Sequence, residues 1–477
     1  MSKEKQLAKN TLIVGLSKIS SVLVVFLVLP IYTKYLTAEQ YGFFDLVTVY
    51  GALIAPVVML RLEVAIFRWL VDTRNKTDEI ANIIVNILQI ILLCLAVFTA
   101  VYWPAALLVD LQYAGLIYGY LIFFVLSSVI LQVSRGLGRI KEFAFGGIIA
   151  GVLSFTIGTV LILAFDMRLD GALWGLMLGY GIAFLYNAFA MRIDKHIREG
   201  ISDRSLKSDL VRFSLPMIPN GMSGWATFAG TKVIVSSILG MAANGIYAVS
   251  SRFTTLFSGV YEIFNTTWTE SASLHIKAPD RDQYFTKIFN MANTFFGSAA
   301  IVFIAALPLI FPLFVDDSFA DAYWYVPVMV AGFFFDTITR MIGAVYVALR
   351  LTKQVMYITV TGATISITGA IILTPFMGLW GAIVASAGTL ALMAMVRYID
   401  IRRRGVGIKL DGDRMIILLV GYSVVMGVYY LAPSGFSLHI VTTLCAAAFA
   451  VYMNRRVLAR GIGMLIRKRQ REDPEVR

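Results

Sequence analysis

The sequence predicts an all-α membrane protein with about 14 transmembrane helices, and three observations carry that prediction. The 477 residues are 58% hydrophobic and only 15% charged, where soluble domains run near half apolar and about a quarter charged. Mean hydropathy is +0.78. The apolar residues fall in repeated runs of about 20, the helix length that crosses a ~30 Å hydrocarbon core. A β-barrel would need shorter alternating segments, which are not seen.

The expected spans follow in chain order. Thr11–Leu29 comes after a basic start, Lys3, Lys5 and Lys9. No small-x-small cleavage site follows it, only LPIYTKYL, so it is read as a retained first span. Phe43–Leu62 is the run FFDLVTVYGALIAPVVML, closed by the charged stretch RLEVAIFR. Ile80–Tyr102 and Tyr113–Val133 precede the basic turn RGLGRIK; Phe143–Phe165 and Gly171–Met191 follow it. Phe213–Leu239 opens with RFSLPMIPNGMSGW, where Pro216, Pro219, Gly221 and Gly224 interrupt the helix and offer a hinge. Ile246–Trp268 and Ile288–Phe314 flank Lys277, Arg281 and Lys287. Tyr323–Leu349 follows the acidic DDSFADAYW, and Val355–Leu373 and Leu379–Tyr398 complete the series. Met415–Leu431 and Leu438–Val457 come last, after a basic segment that runs from Arg397 to Arg414.

Loop charge sets the orientation. With the N-terminus in the cytoplasm and sides alternating, 34 of the 41 Lys and Arg fall on the cytoplasmic side. Only Lys34 and Arg168 fall outside. An omitted span would invert every later loop, so an even count with both termini inside is expected. The same bias explains the net charge of +12 without nucleic acid. Cys94 and Cys445 lie in apolar runs, and His196, His275 and His439 stand far apart, so neither a disulfide framework nor a metal site is expected. No GxxxxGK[ST] phosphate loop is present.

Two stretches recur. Gly42 of YLTAEQYGFF matches Gly245 of ILGMAANGIY at an offset of 203, and LWG at Leu173–Gly175 returns at Leu379–Gly381 at an offset of 206. Each match holds the same place in a six-helix unit. Six is even, so the copies share one orientation, as in parallel transporter repeats with a site between the halves. The expected domains are a six-helix bundle over 1–191, a cytoplasmic linker over 192–212, a second bundle over 213–398, two extra transmembrane helices over 399–457 and a basic tail over 458–477.

The stretch NTLIVGLSKISSVLVVFLVLPIYTKYLTAEQYGFFDLVTVYGALIAP strongly resembles the N-terminal signature of polysaccharide flippases of the O-antigen and capsule type. These belong to the multidrug/oligosaccharidyl-lipid/polysaccharide exporter superfamily. RFSLPMIPNGMSGW resembles the start of their second half, and Phe67–Arg68 also fits. The resemblance implies two six-helix bundles forming a V around a cationic cavity, in the plasma (cell inner) membrane. It implies transfer of an undecaprenyl-diphosphate-linked oligosaccharide, without a cofactor, alongside membrane lipids, a polymerase and other polysaccharide-assembly proteins.

Five cations remain in or near the hydrocarbon: Lys18, Arg61, Lys232, Arg252 and Arg340. Ionisable groups there usually face a bundle interior or water. A lipid-linked sugar carries a diphosphate, and Lys or Arg lining a cavity would receive it. At ~1.5 Å per residue, Lys18 lies roughly 10 Å in from the cytoplasmic end, Arg61 near that end, and Arg340 roughly 24 Å from the outer end. By the same measure Arg252 and Lys232 lie roughly 9 and 12 Å from the outer end. The cations thus form an inner and an outer tier, and the diphosphate is expected to pass from one to the other. Arg61 and Arg68 share a helical face and mark the inner rim, or else snorkel to headgroups. Arg340 has Asp336 one turn earlier, which reads equally as a neutralised structural pair. Glu262, Asp336 and Glu63 are the carboxylates for ion coupling; the alternative is a static counter-ion, preferred for Glu63 and Asp336. Asn82, Asn86 and Gln89 make a polar stripe, echoed by Asn290 and Asn293, that either lines a cavity or hydrogen-bonds between helices. The rival functions are a lipid II flippase, a multidrug exporter, whose cavity should be acidic, and a membrane polysaccharide polymerase or ligase, which should carry a long outer loop.

Overall fold

The structure, a computed structural model, describes residues 23–73, 76–433 and 435–472. Most of the expected first span, with Lys18, lies outside the described residues. The described regular structure is helical, with no strand. Residues 23–27 are helical and lead into α1 (Leu29–Tyr35). There follow α2 (Ala38–Val58), α3 (Leu62–Asp72), α4 (Thr77–Leu108), α5 (Ala114–Gly136), α6 (Ile140–Phe165), α7 (Arg168–Ala190), α8 (Ile193–Glu199) and α9 (Arg204–Ser214). Next come α10 (Ile218–Leu239), α11 (Met241–His275), α12 (Arg281–Phe314), α13 (Ala322–Ala348), α14 (Thr352–Met377), α15 (Leu379–Arg403), α16 (Gly412–Leu431) and α17 (Phe436–Glu472).

Eleven of the described helices are long and apolar enough to cross a membrane: α2, α4 to α7 and α12 to α17. α10 and α11 form where spans are expected but are not among the eleven. The serines, threonines and asparagines of α11 dilute its apolar character, and α10 holds a shorter apolar stretch over residues 229–239. α4 and α12, of 32 and 34 residues, are about 50 Å long and outrun a ~30 Å core.

Local chemistry explains the boundaries. α2 starts five residues before the apolar run, because Thr37 and Gln40 form a reciprocal capping box. It ends at Val58 rather than Leu62. Pro56 has already removed a donor from its last turn. Leu60 and Arg61 then take left-handed φ values of 49° and 57°, a conformation uncommon without glycine. Arg61 is thus the corner that opens α3, not a residue on the same helix face as Arg68.

The chain forms two compact units, residues 1–249 and 250–477, with the boundary inside α11. In the first, Ile84, Ile87 and Ile91 of α4 bury against Leu62, Ile66 and Leu70 of α3, Val129 of α5 and Leu210 of α9. α6 and α7 pack through small residues: a Cβ on Gly175 or Gly179 would run into the Ser154 backbone.

The repeat glycines meet inside this first unit. A Cβ on Gly42 would strike the Met241 carbonyl oxygen, and one on Gly245 would strike that of Ala38. Ala38 and Met241 are themselves 203 residues apart, like Gly42 and Gly245. Asn244 donates to the Gly42 carbonyl at 2.9 Å.

A second correspondence lies in how each unit holds the chain that leaves its helices. In the first, the Ile201 N–H donates to Asn82 Oδ1 at 2.7 Å, Asn86 Nδ2 donates to the Ile201 carbonyl at 2.9 Å and the Asp203 N–H donates to Asn86 Oδ1 at 2.8 Å. In the second, the Lys409 N–H donates to Thr286 Oγ1 at 3.1 Å, Asn290 Nδ2 donates to the Lys409 carbonyl at 2.8 Å and the Asp411 N–H donates to Asn290 Oδ1 at 2.9 Å. Asp203 then caps α9 and Asp411 caps α16. The polar stripe of α4 therefore bonds to a crossing backbone.

Gly245→Val should destabilise the fold by about 1–3 kcal/mol, because a branched side chain is forced into a backbone carbonyl. Gly427→Ala, with open space around the new Cβ, should not. Thermal unfolding in detergent compares the two; equal midpoints would refute the contact.

Candidate functional site

The charged residues of the spans are brought into separate small clusters within each unit. In the first, Lys232 of α10 places its ammonium 2.9 and 2.8 Å from the two carboxylate oxygens of Asp45 on α2. The Asp45 side chain is 1% exposed and that of Lys232 is 15%. Asp45 is not among the carboxylates singled out from the sequence, which are Glu262, Asp336 and Glu63. Its signal was in plain view, since an acid inside the run FFDLV is as costly in hydrocarbon as a base. One turn further along the same α2 face, Trp225 Nε1 donates to the Val49 carbonyl at 2.8 Å.

Arg61 sits 2.9 Å from Glu63 Oε1. Arg61 Nε and Glu63 Oε2 are buried without a hydrogen-bond partner. Arg61 also lines a small crevice with Pro56, Val57, Met222 and Trp225. Arg68 is exposed at the surface beside Asp72, at 3.4 Å. The two arginines of RLEVAIFR thus have different surroundings.

In the second unit, Arg340 of α13 brings two of the expected coupling carboxylates together. Its Nε lies 2.6 Å from Asp336 Oδ2 and its Nη1 lies 3.5 Å from Glu262 Oε2 on α11. Asp336 is buried, whereas Arg340 and Glu262 keep 30% and 39% side-chain exposure. Tyr261 and Trp268 of α11 fix this geometry by donating to the Thr337 and Met341 carbonyls at 3.0 and 2.9 Å. Arg252 is half-buried on α11. Lys18 lies outside the described residues.

Arg397 falls at the end of the expected span Leu379–Tyr398 and is counted from the sequence with the cytoplasmic basic segment. α15 runs on to Arg403, so Arg397 lies within the helix and is 5% exposed. It donates to the Thr339 carbonyl and to Thr359 Oγ1, both at 2.8 Å. Gly343 leaves room for its guanidinium. Among the described residues no group of three or more His, Cys, Asp or Glu could hold a metal.

The fold is shared with transporters of known structure. An inward-facing multidrug-resistance MATE transporter of the MOP superfamily is 16% identical, with 82% of this chain and 94% of that chain covered and a TM-score of 0.67. The lipid II flippase MurJ, in an inward closed conformation, is 14% identical, with 94% and 100% covered and a TM-score of 0.67. A MOP superfamily transporter from Pyrococcus furiosus, described by the reverse polarity of its binding pocket, is 17% identical, with 83% and 95% covered and a TM-score of 0.57. The class is therefore a multi-pass helical membrane protein with the MATE and MurJ fold, whose neighbours are transporters and flippases rather than enzymes. No curated protein matches the sequence. The polysaccharide biosynthesis protein family matches residues 7–269, more than half of the chain, and the protein belongs to that family.

Removing one partner of a buried ion pair leaves an uncompensated charge, whereas removing both is far milder. Lys232→Met or Asp45→Leu alone should cost about 3–5 kcal/mol, and the double variant should recover most of that. Thermal unfolding of the three variants checks it. A double variant no better than the worse single variant would show that the pair is not the unit of stability.

Proposed function

We propose that this protein flips undecaprenyl-diphosphate-linked oligosaccharide repeat units across the plasma membrane for surface polysaccharide assembly, such as O-antigen or capsule. The observation that carries the reading is membership of a polysaccharide biosynthesis family joined to a transporter fold. The chain has 14 spans in this reading: the eleven apolar helices, α10, α11 and Thr11–Leu29. They make two parallel six-helix bundles, over 1–191 and 213–398, joined by the linker 192–212. Two helices over 399–457 and the basic tail 458–477 complete the chain. Both termini are cytoplasmic, as the side bias of 34 of 41 cations supports. The matching backbone clasps on Asn86 and Asn290 support the repeat.

Alternating access carries the diphosphate past Lys18, Arg61, Lys232, Arg252 and Arg340. Arg340 is the guanidinium best prepared to exchange partners, since it is part exposed and Glu262 holds it at only 3.5 Å. A phosphate oxygen displaces Glu262 while Asp336 keeps Arg340 oriented. Glu262 is then the carboxylate freed to take up the coupling ion, with Asp336 and Glu63 as counter-ions. A lipid II substrate is the second reading, favoured by the 94% of this chain that aligns with MurJ, against 82% with the MATE transporter.

In vesicles holding a fluorescent undecaprenyl-diphosphate oligosaccharide, the wild type should move label to the opposite leaflet. Arg340→Gln and Arg252→Glu should slow this about tenfold or more per folded molecule, the worth of one charged hydrogen bond. Wild-type rates in both variants would remove the cationic pathway. Transfer of lipid II but of no other glycan would select the second reading.

A further inference from the structure

A large cleft of the first unit lies apart from the charged clusters of the spans. It has a volume of about 1160 Å³ and opens between the end of α3, the start of α4, the segment 201–203 and α9. That volume is at the upper end of small-molecule sites, about 300–1,000 Å³. One wall is held rigid, because residues 201–203 are the segment bonded to Asn82 and Asn86. Trp69 and Phe213 line it edge to face, with ring centroids 5.2 Å apart. Asp72, Glu79 and Asp209 add carboxylates around these rings.

We infer that this cleft binds the glycan of the transported lipid on the cytoplasmic side. The inference rests on the flippase reading and assigns the sugar end of its substrate. A pyranose ring offers an apolar C–H face to an aromatic ring and hydroxyl donors to carboxylates, each of which accepts through two oxygens. The diphosphate is poorly suited to the same place. The lining holds four carboxylates, with Asp203 the fourth, against Arg68 and Arg204, and three cations at its edge are already engaged: Arg68 beside Asp72, Lys76 on Glu79 at 2.6 Å and Lys207 on Ser202 at 3.0 Å. The two ends of the substrate are thus sorted by charge: the sugar to an acidic and aromatic cleft, the phosphates to the cations of the spans. The class of glycan is neutral or amino-substituted rather than polyanionic.

The test uses the full chain in lipid nanodiscs. The probe is the lipid-free repeat-unit oligosaccharide released from the host's own surface polysaccharide. Saturation-transfer NMR should show magnetisation passing from wild-type protein to the sugar ring protons. Phe213→Ala and Asp209→Asn change exposed residues, so both should fold with wild-type melting profiles. Each should weaken binding about fivefold or more, the equivalent of about 1 kcal/mol. Inorganic pyrophosphate should not displace the sugar. Absence of transfer in the wild type, equal binding in both variants, or displacement by pyrophosphate would each overturn the cleft. A protein that flips the lipid-linked substrate but gives no transfer to the free sugar loses the cleft and keeps the flippase reading. Sugar binding that these variants weaken, in a protein that flips nothing, keeps the cleft and loses that reading.

Discussion

Hydrocarbon offers an ion no partner, and this constraint governs where the chain places its charges. Asp45 and Lys232 are 187 residues apart in sequence and meet as a chelated pair. Arg340 holds one acid on its own helix and a second on α11. Arg397, far from the surface, is met by a carbonyl and a hydroxyl. Each contact is also a tie between helices that sequence separation would leave independent. The buried charges therefore also determine which helices lie side by side.

Backbone polarity imposes a parallel demand where the chain leaves the helices. The segments 201–203 and 409–411 are not helical and must find donors and acceptors elsewhere. Both find them in an amide about two and a half turns inside a long helix, Asn86 or Asn290, and both then launch a new helix from a capping aspartate. A single asparagine side chain satisfies one donor and one acceptor of the crossing strand. This reciprocity explains why a polar stripe persists in an otherwise apolar helix.

Most of the helices were legible in the sequence, because a run of about 20 apolar residues is a thermodynamic requirement for crossing a bilayer. Gly42 and Gly245 stand out as a matched pair in the sequence, and only glycine admits the backbone contact found there. The ends of the helices were less legible. The corner at Leu60–Arg61 has left-handed backbone without any glycine to announce it. Asp336 was expected beside Arg340 from helical spacing alone, and it is there. Asp45 was not expected beside Lys232, because periodicity within one helix does not say which faces of two helices meet. Arg397 was missed as a buried cation because it stands next to the charged run Asp400–Arg404 and counts with it.

In the proposed repeat, the Asp45–Lys232 pair breaks the symmetry. At the repeat offset of 203, the counterpart of Asp45 is Ala248 and that of Lys232 is Leu29, both buried and apolar. A chain assembled from two copies of the first half would bury two carboxylates with no ammonium to meet them. Two copies of the second half would bury two ammoniums with no carboxylate. In the two-repeat reading proposed above, the halves are obligate complements, like the two chains of a heterodimer fused end to end. Neither could return to life as a symmetric pair without first giving up its charge.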